Sequence, residues 1–388
     1  MTTPQRIVVL GSTGSVGRQT LEVIEAQPER FTVVGLAARG GQLALLNEQI
    51  GRFKPTLVAV EADTDRGAVA HPADRVLAGP EGLLALATLS EADLIVIATS
   101  GHAAIRPTLA AIEAGKGVAL ANKETIVCAG ELVMAAARAH GTTIRPLDSE
   151  HSALWQAAQG AEGAVNVQRL IVTGSGGPFR RLAATELATV TPQAALRHPT
   201  WPSMGGKITI DSASLMNKGL EVIEARWLFD LPFERIDVVI HPQSIVHGLV
   251  EFADGAMLAQ LALPDMRLPI AYALAWPERP ALPYPRLDLL QVAKLEFEAP
   301  DLDRFPCLRL AYEAGRAGGL LPTVLSAADE VAVEAFLHGT LPFSGIPALI
   351  EATLAAYDGT AVVSLAAIEE ADRWTQAFGR RLLAERRA

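Results

Sequence analysis

The residues best suited to chemistry lie in two acidic segments. Asp148-Ser149-Glu150-His151 follows a strand-like run at 143–147. In an extended chain, side chains two apart point the same way, so Asp148 and Glu150 converge on one side. Paired carboxylates bind a hard cation such as Mg2+ or Mn2+, or share a proton. A good cation site wants a third acid. Glu221 is the candidate, closing the segment Asp211-Ser212-Ala213-Ser214-Leu215-Met216-Asn217-Lys218-Gly219-Leu220-Glu221. The segment predicts a helix reaching to about Phe229 and capped by Asp211 or Ser212. Asn217 and Lys218 stand four and three residues before Glu221 and so share its helix face. A hydroxyl at the helix start, an amide and an ammonium would supply donors for a phosphate beside a metal ligand. The same spacing also describes a plain surface ion pair between Lys218 and Glu221, which contributes little.

Two loops carry further polar groups. Ser175-Gly176-Gly177-Pro178-Phe179 follows a strand-like run at 170–173, and a Ser-Gly-Gly turn bares backbone N–H groups and a hydroxyl, as anion nests do. His198-Pro199-Thr200-Trp201 places an imidazole and an indole in a loop suited to a mobile lid. Either ring alone would more often be structural, so the two count jointly. His241 and His247, on either side of Pro242-Gln243-Ser244, read as structural.

The start of the chain suggests a dinucleotide site. A strand at 7–10 runs into Gly11-Ser12-Thr13-Gly14-Ser15-Val16-Gly17 and then a helix. Glycines there let the backbone approach a pyrophosphate at the positive end of the helix. The spacing is GxxGxxG, and alone it also describes a tight turn. After the second strand come Ala38-Arg39-Gly40-Gly41, with no acid to hold a ribose 2′-hydroxyl and one guanidinium suited to a 2′-phosphate. NADP is thereby favoured over NAD, unless Arg39 is only a solvated surface charge.

The elements that position these groups alternate. Strand-like runs at 7–10, 31–36, 57–60, 93–98 and 117–120 are separated by helical spacing, which predicts a parallel sheet covered by helices. After about residue 147, glycine- and proline-rich loops separate strands from helices. The stretch 276–285 holds Pro277, Pro280, Pro283 and Pro285 and reads as a semi-rigid linker. Near the end, Leu365, Ile368, Ala371, Trp374, Phe378 and Leu382 predict one buried helical stripe. A length of 388 residues implies two or three domains, and 50% hydrophobic residues imply well-packed ones. The net charge of −10 argues against nucleic-acid binding, and no apolar run is long enough to span a bilayer. Cys128 and Cys307 lie far apart with no metal or disulfide spacing, so a reducing cytoplasm is expected. A strand-like run already begins near Arg6, so no targeting segment is expected.

Together these segments resemble the 1-deoxy-D-xylulose 5-phosphate reductoisomerases. The matching blocks are GSTGSVG from Gly11, ALANKET from Ala119, LDSEH from Leu147, SGGPF from Ser175, KITIDSASLMNKGLEVIEA from Lys207, HPQSIVH from His241 and FEAPDLDRFPCLRLA from Phe297. The block from Lys207 is highly specific, whereas the glycine turn is not. The resemblance implies an α/β Rossmann-like NADPH domain (1–147), an α+β catalytic and dimerisation domain (148–275), a proline-rich linker (276–300) and an all-α C-terminal domain (301–388). It implies a V-shaped homodimer acting on a small sugar phosphate, with Mg2+ or Mn2+, and Co2+ as a further candidate. By motif, Asp148, Glu150 and Glu221 would hold the metal. Ser175, Ser212, Asn217 and Lys218 would bind the phosphate with His198 close by, and Lys123, Ser149 and Glu150 would contact the reacting oxygens. Thr13, Gly14, Ser15, Val16, Asn122, Glu124 and Gly205 would contact NADPH, while Trp201 and Met204 would close a flap. Three departures stand out, one of them the unusual Ala98-Thr99-Ser100-Gly101-His102 at the end of its strand, where His102 is given no role. Ala38-Arg39-Gly40-Gly41 replaces the family's Ala-Gly-x-Asn, and Trp201-Pro202-Ser203-Met204 is one residue longer than its Trp-x-Met. The alternatives are another NADP-dependent oxidoreductase acting on a small phosphorylated or carboxylated aldehyde, or a redox sensor that binds NADPH without turnover. Neither would need the three carboxylates and the donor-rich helix.

Overall fold

A computed structural model describes residues 3–159, 166–201, 205–359 and 362–385. The chain divides into two compact units: Met1–Thr125, Leu132–Ser152 and Asp265–Pro285 form the first, and Ile126–Glu131, Ala153–Pro264 and Arg286–Ala388 the second.

The first unit is built on seven strands: β1 (Gln5–Leu10), β2 (Phe31–Ala38), β3 (Leu57–Val60), β4 (Val76–Ala78), β5 (Leu94–Ile97), β6 (Gly117–Leu120) and β7 (Ile144–Pro146). They lie parallel in the order β4-β3-β2-β1-β5-β6-β7. Ile7 to Leu10 and Leu94 to Ile97 are fully buried, as strands covered on both faces must be, which is why these runs are continuously apolar. Intervening helices are α1 (Ser15–Glu25), α2 (Leu43–Phe53), α3 (Gly79–Ala87), α4 (Ile105–Glu113) and α5 (Lys123–His140). Strand order reverses between β1 and β5, so the crevice at their carboxyl ends is where such a sheet receives a ligand.

In the second unit, β8 (Val167–Gly174), β9 (Ile236–Ile240), β10 (Val246–Phe252) and β11 (Met257–Leu261) form a mixed sheet in the order β11-β10-β8-β9. Only β8 and β9 run parallel; β10 pairs antiparallel with both β8 and β11. The chain enters this unit through α6 (Ser149–Ala158) and passes two single turns, α7 (Ala184–Leu187) and α8 (Pro192–Ala195), before α9 (Gly206–Ser214) and α10 (Met216–Leu228). Helix α11 (Arg267–Ala275) belongs to the first unit, where it packs on α1. Beyond the single turn α12 (Leu289–Val292), four helices complete the second unit: α13 (Cys307–Ala317), α14 (Leu321–Leu337), α15 (Gly345–Ala356) and α16 (Leu365–Glu385).

Several sequence expectations change here. Contacts group the proline-rich residues 276–285 with the first unit, while the C-terminal helices α13 to α16 form an all-helical part of the second, as expected. The buried stripe of α16 is Ile368, Ala371, Thr375 and Gly379. Trp374 and Phe378 flank it, stacked on each other with ring centroids 4.9 Å apart. The single helix expected to about Phe229 is two helices. Leu215 breaks them by adopting a left-handed φ of +63°, so Asp211 and Ser212 lie inside α9 rather than capping a helix.

Candidate active site

The glycine turn carries the geometry its composition implies. Gly11 has φ +92°, and a Cβ there would lie 2.5 Å from the Ala98 carbonyl oxygen. A Cβ on Gly17 would lie 2.2 Å from the Gly11 oxygen, so both residues must be glycine for β1 to turn tightly into α1. Gly14 stands at the N-cap, and no side chain caps α1, which leaves the first-turn N–H groups around Ser15, Val16 and Gly17 for an anion. Thr13 is buried beside them. Ala38 ends β2, and Arg39, Gly40 and Gly41 follow at the edge of this crevice. The Arg39 side chain is 70% exposed and only loosely paired with Glu61, at 3.7 Å. Asn122 caps α5, accepting from Thr125 N at 2.7 Å. Its amide donates to Thr99 O (2.9 Å), Gly101 O (3.1 Å) and Glu124 Oε2 (2.9 Å), tying the β5 and β6 loops together at the same sheet edge.

Asp148 sits between β7 and α6. The ammonium of Lys123 contacts its Oδ2, and His151 Nδ1 lies 3.2 Å from the same oxygen. Burial alone would raise the Asp148 carboxyl, but Lys123 and His151 outweigh it and hold it well below the usual carboxylate range. Glu150 accepts from Ser149 Oγ at 2.5 Å. Ligand oxygens of Asp148 and Glu150 approach within 4.8 Å of one another, close enough to share one hard cation. The pairing was expected, but its reason was wrong. The chain is helical from Ser149, so the two acids meet across a helix start and not along a strand. That helix also brings in His151, fully buried, which the extended reading pointed elsewhere. An i to i+3 relation to Asp148 was the signal available for it.

In the second unit the polar residues form a cluster in which Ser175, Ser212, Asn217, Lys218 and Glu221 are buried and His198 is half-buried. His198 Nδ1 accepts from Thr200 N at 3.2 Å and Trp201 N at 2.9 Å, so it carries no proton in this arrangement. Nε2 is then the protonated nitrogen, lying 3.0 Å from Ser175 Oγ and 2.9 Å from Ser212 Oγ. The Ser175-Gly176-Gly177 turn sits directly on α9, since a Cβ on Gly177 would come 2.8 Å from the Ser212 carbonyl oxygen. Both glycines have positive φ. Asn217 and Lys218 occupy the uncapped first turn of α10, where the helix dipole favours an anion. Asn217 Nδ2 and Lys218 Nζ each donate to Glu221 at 2.5 Å, as the four- and three-residue spacing predicted. All three are buried, which excludes the surface ion pair. The lysine stem crosses Gly174, where a Cβ would lie 2.9 Å from its Cδ.

Trp201 meets His247 edge-on, with centroids 6.1 Å apart, and Thr200 Oγ1 lies 2.9 Å from Ser244 Oγ. His247 and Ser244 thus back the loop, contacts the sequence reading missed because their partners lie more than forty residues away. Pro202, Ser203 and Met204 lie outside the described residues, so the extra flap residue does too. Gly205 is the N-cap of α9. His241 is structural in its contacts: Nδ1 lies 2.8 Å from Glu296 O, and the ring stacks on Phe297.

A parallel sheet with a glycine turn at its switch point, joined to a unit rich in buried anion donors, defines a dinucleotide-fold enzyme acting on an anionic substrate. Sequence profiles sharpen this. Residues 7–130 match 1-deoxy-D-xylulose 5-phosphate reductoisomerase, 144–229 its C-terminal domain, and 261–378 the DXP reductoisomerase C-terminal domain. The chain is 55% identical over 378 residues to the 1-deoxy-D-xylulose 5-phosphate reductoisomerase of Thermomicrobium roseum, covering 97% of each. It superimposes with a TM-score of 0.91 on the Zymomonas mobilis enzyme in complex with NADPH, at 41% identity over 98% of this chain and 99% of that one. A DOX-P reductoisomerase in complex with NADPH, fosmidomycin and magnesium gives a TM-score of 0.90 at 39% identity over 98% of both chains. The chain belongs to the 1-deoxy-D-xylulose 5-phosphate reductoisomerase family.

Proposed function

We propose that this enzyme isomerises and reduces 1-deoxy-D-xylulose 5-phosphate to 2-C-methyl-D-erythritol 4-phosphate, the step committing carbon to isoprenoid precursors by the methylerythritol phosphate route. The observation that carries the reading is the donor cluster of buried Ser175, Ser212, Asn217 and Lys218 with half-buried His198, standing in a chain that matches a family member over 97% of its length.

The carboxylates Asp148, Glu150 and Glu221 fit Mg2+ or Mn2+, with Co2+ as a further candidate: all-oxygen donors suit hard cations. When bound, a divalent ion supplies Lewis acidity for negative oxygen during carbon–carbon rearrangement, and NADPH supplies the hydride. The protein's own groups do the rest. Lys218, Asn217, Ser175, Ser212 and His198 bind the phosphate, and that remote binding energy drives closure and excludes water. Lys123, Ser149 and Glu150 hold the reacting hydroxyl and carbonyl oxygens, and Trp201 is the described residue of the flap. Thr13, Gly14, Ser15, Val16, Asn122, Glu124 and Gly205 contact the dinucleotide, with Arg39 on its 2′-phosphate.

A homodimer is part of this reading, formed through the mixed sheet. The support is its edge strand β11, which leaves Met257 and Leu258 close to half exposed. Light scattering should return twice the mass of one chain. Buried, unbridged Cys128 and Cys307 support a cytoplasmic setting. The functional test is direct: protein, NADPH, Mg2+ or Mn2+ and the deoxyxylulose phosphate should consume one NADPH per substrate and yield the branched erythritol phosphate. No turnover with any divalent metal would overturn it.

A further inference from the structure

Outside the donor cluster, one buried group of charges has no part in the chemistry above. Lys207, in the first turn of α9, places Nζ 2.6 Å from Asp211 Oδ2 and 2.6 Å from Asp329 Oδ2. Asp211 lies one turn along α9, and Asp329 lies in the middle of α14, which packs on α9. Both carboxyls are buried, Asp329 completely. They face each other within hydrogen-bonding reach. Among the described residues, Asp211 Oδ1 and both Asp329 oxygens lack a well-aligned hydrogen-bond donor, so the Lys207–Asp329 contact is an ion pair by distance only.

Two buried carboxylates beside one ammonium would leave a net negative charge out of water, a costly arrangement. One proton between them removes that charge and gives the orphaned oxygens a donor. We propose that Lys207, Asp211 and Asp329 form a positioning cluster, in which one shared proton locks α9 onto α14 and so fixes Ser212 for the substrate phosphate. The link to Ser212 rests on the functional reading above. Ser212 follows Asp211 directly, so the position of one carboxyl sets the neighbouring hydroxyl. Burial, reinforced by the charge of Asp329, raises the Asp211 carboxyl well above its usual range, in keeping with a retained proton. Besides Lys207, Cys307 of α13 faces the pair; its thiol is pushed up by burial and stays neutral while hydrogen-bonded to Ser214.

Asp329→Asn tests the proton, because its amide donates permanently where the carboxyl donates only when protonated. A carboxyl raised by folding contributes most below the ordinary carboxylate range, and that contribution is lost as pH rises through the folded value. The Asn variant should therefore melt higher than the wild type at about pH 8, with the gap closing toward about pH 5. Its KM for the sugar phosphate should stay within about twofold of wild type, while Asp329→Leu raises KM roughly fivefold with less effect on kcat. An Asn variant that melts lower than wild type at both pH values would overturn the shared proton. A Leu variant with unchanged KM would overturn the positioning role, and should that variant not fold, the Asn pH comparison decides. Melting needs no substrate, so its failure is distinct from a wild type without turnover, which would overturn the functional reading and the link to Ser212.

Discussion

In the function proposed above, the glycine turn of the first unit and the donor cluster of the second both receive phosphate, by opposite means. Around Gly11 and Gly17 the work falls to backbone: side chains are excluded by contacts of 2.5 and 2.2 Å, and the available donors are uncapped N–H groups. Arg39, a charged side chain at the same edge, is mostly solvated. Around Ser212 the donors are side chains, buried except for half-buried His198, each already tied to another: His198 to two hydroxyls, Asn217 and Lys218 to Glu221. A backbone site tolerates almost any change except added bulk. A side-chain network loses its function one group at a time, and the remaining groups are left buried without partners.

The comparison can be broken at either end. Gly11→Ala should act through the fold, since φ +92° and the Ala98 carbonyl both oppose a Cβ. A loss of about 2–4 kcal/mol in stability is expected by denaturant titration, together with loss of NADPH binding. Wild-type stability and NADPH affinity in that variant would contradict the backbone account. Next in size, Lys218→Met removes a charged donor and strands Glu221. Substrate KM should rise roughly ten- to hundredfold, read from initial rates, while NADPH affinity stays near wild type. Equal losses for both ligands would erase the distinction between the regions. The smallest effect belongs to Arg39→Ser. NADPH KM should rise by roughly three- to tenfold with NADH little changed, as befits an exposed guanidinium meeting a 2′-phosphate. No change in the NADPH to NADH ratio would reduce Arg39 to a surface charge.

What the sequence revealed follows the same divide. The parallel strands and the glycine turn were legible because periodicity and glycine placement are local signals. Asn217, Lys218 and Glu221 were legible because three- and four-residue spacing holds in any helix. The break at Leu215 was not, because a leucine with positive φ is set by its surroundings and not by its own preference. Reading 148–150 as extended brought Asp148 and Glu150 together for the wrong reason and left His151 without a role. Asp329 was invisible as a partner of Asp211, since more than a hundred residues separate them and only the packing of α14 on α9 joins them.

The central claim is that three carboxylates hold the divalent ion on which turnover depends. The most direct test compares NADPH consumption by wild type and Glu221→Gln across a Mg2+ titration with the deoxyxylulose phosphate present. Gln keeps the size and one acceptor oxygen for Lys218, but turns the other oxygen into an NH2 donor and removes the charge. The account predicts at least about a hundredfold loss in kcat/KM, a rightward shift in the Mg2+ dependence, and unchanged NADPH binding. A Glu221→Gln enzyme with wild-type rate and wild-type Mg2+ dependence would contradict it.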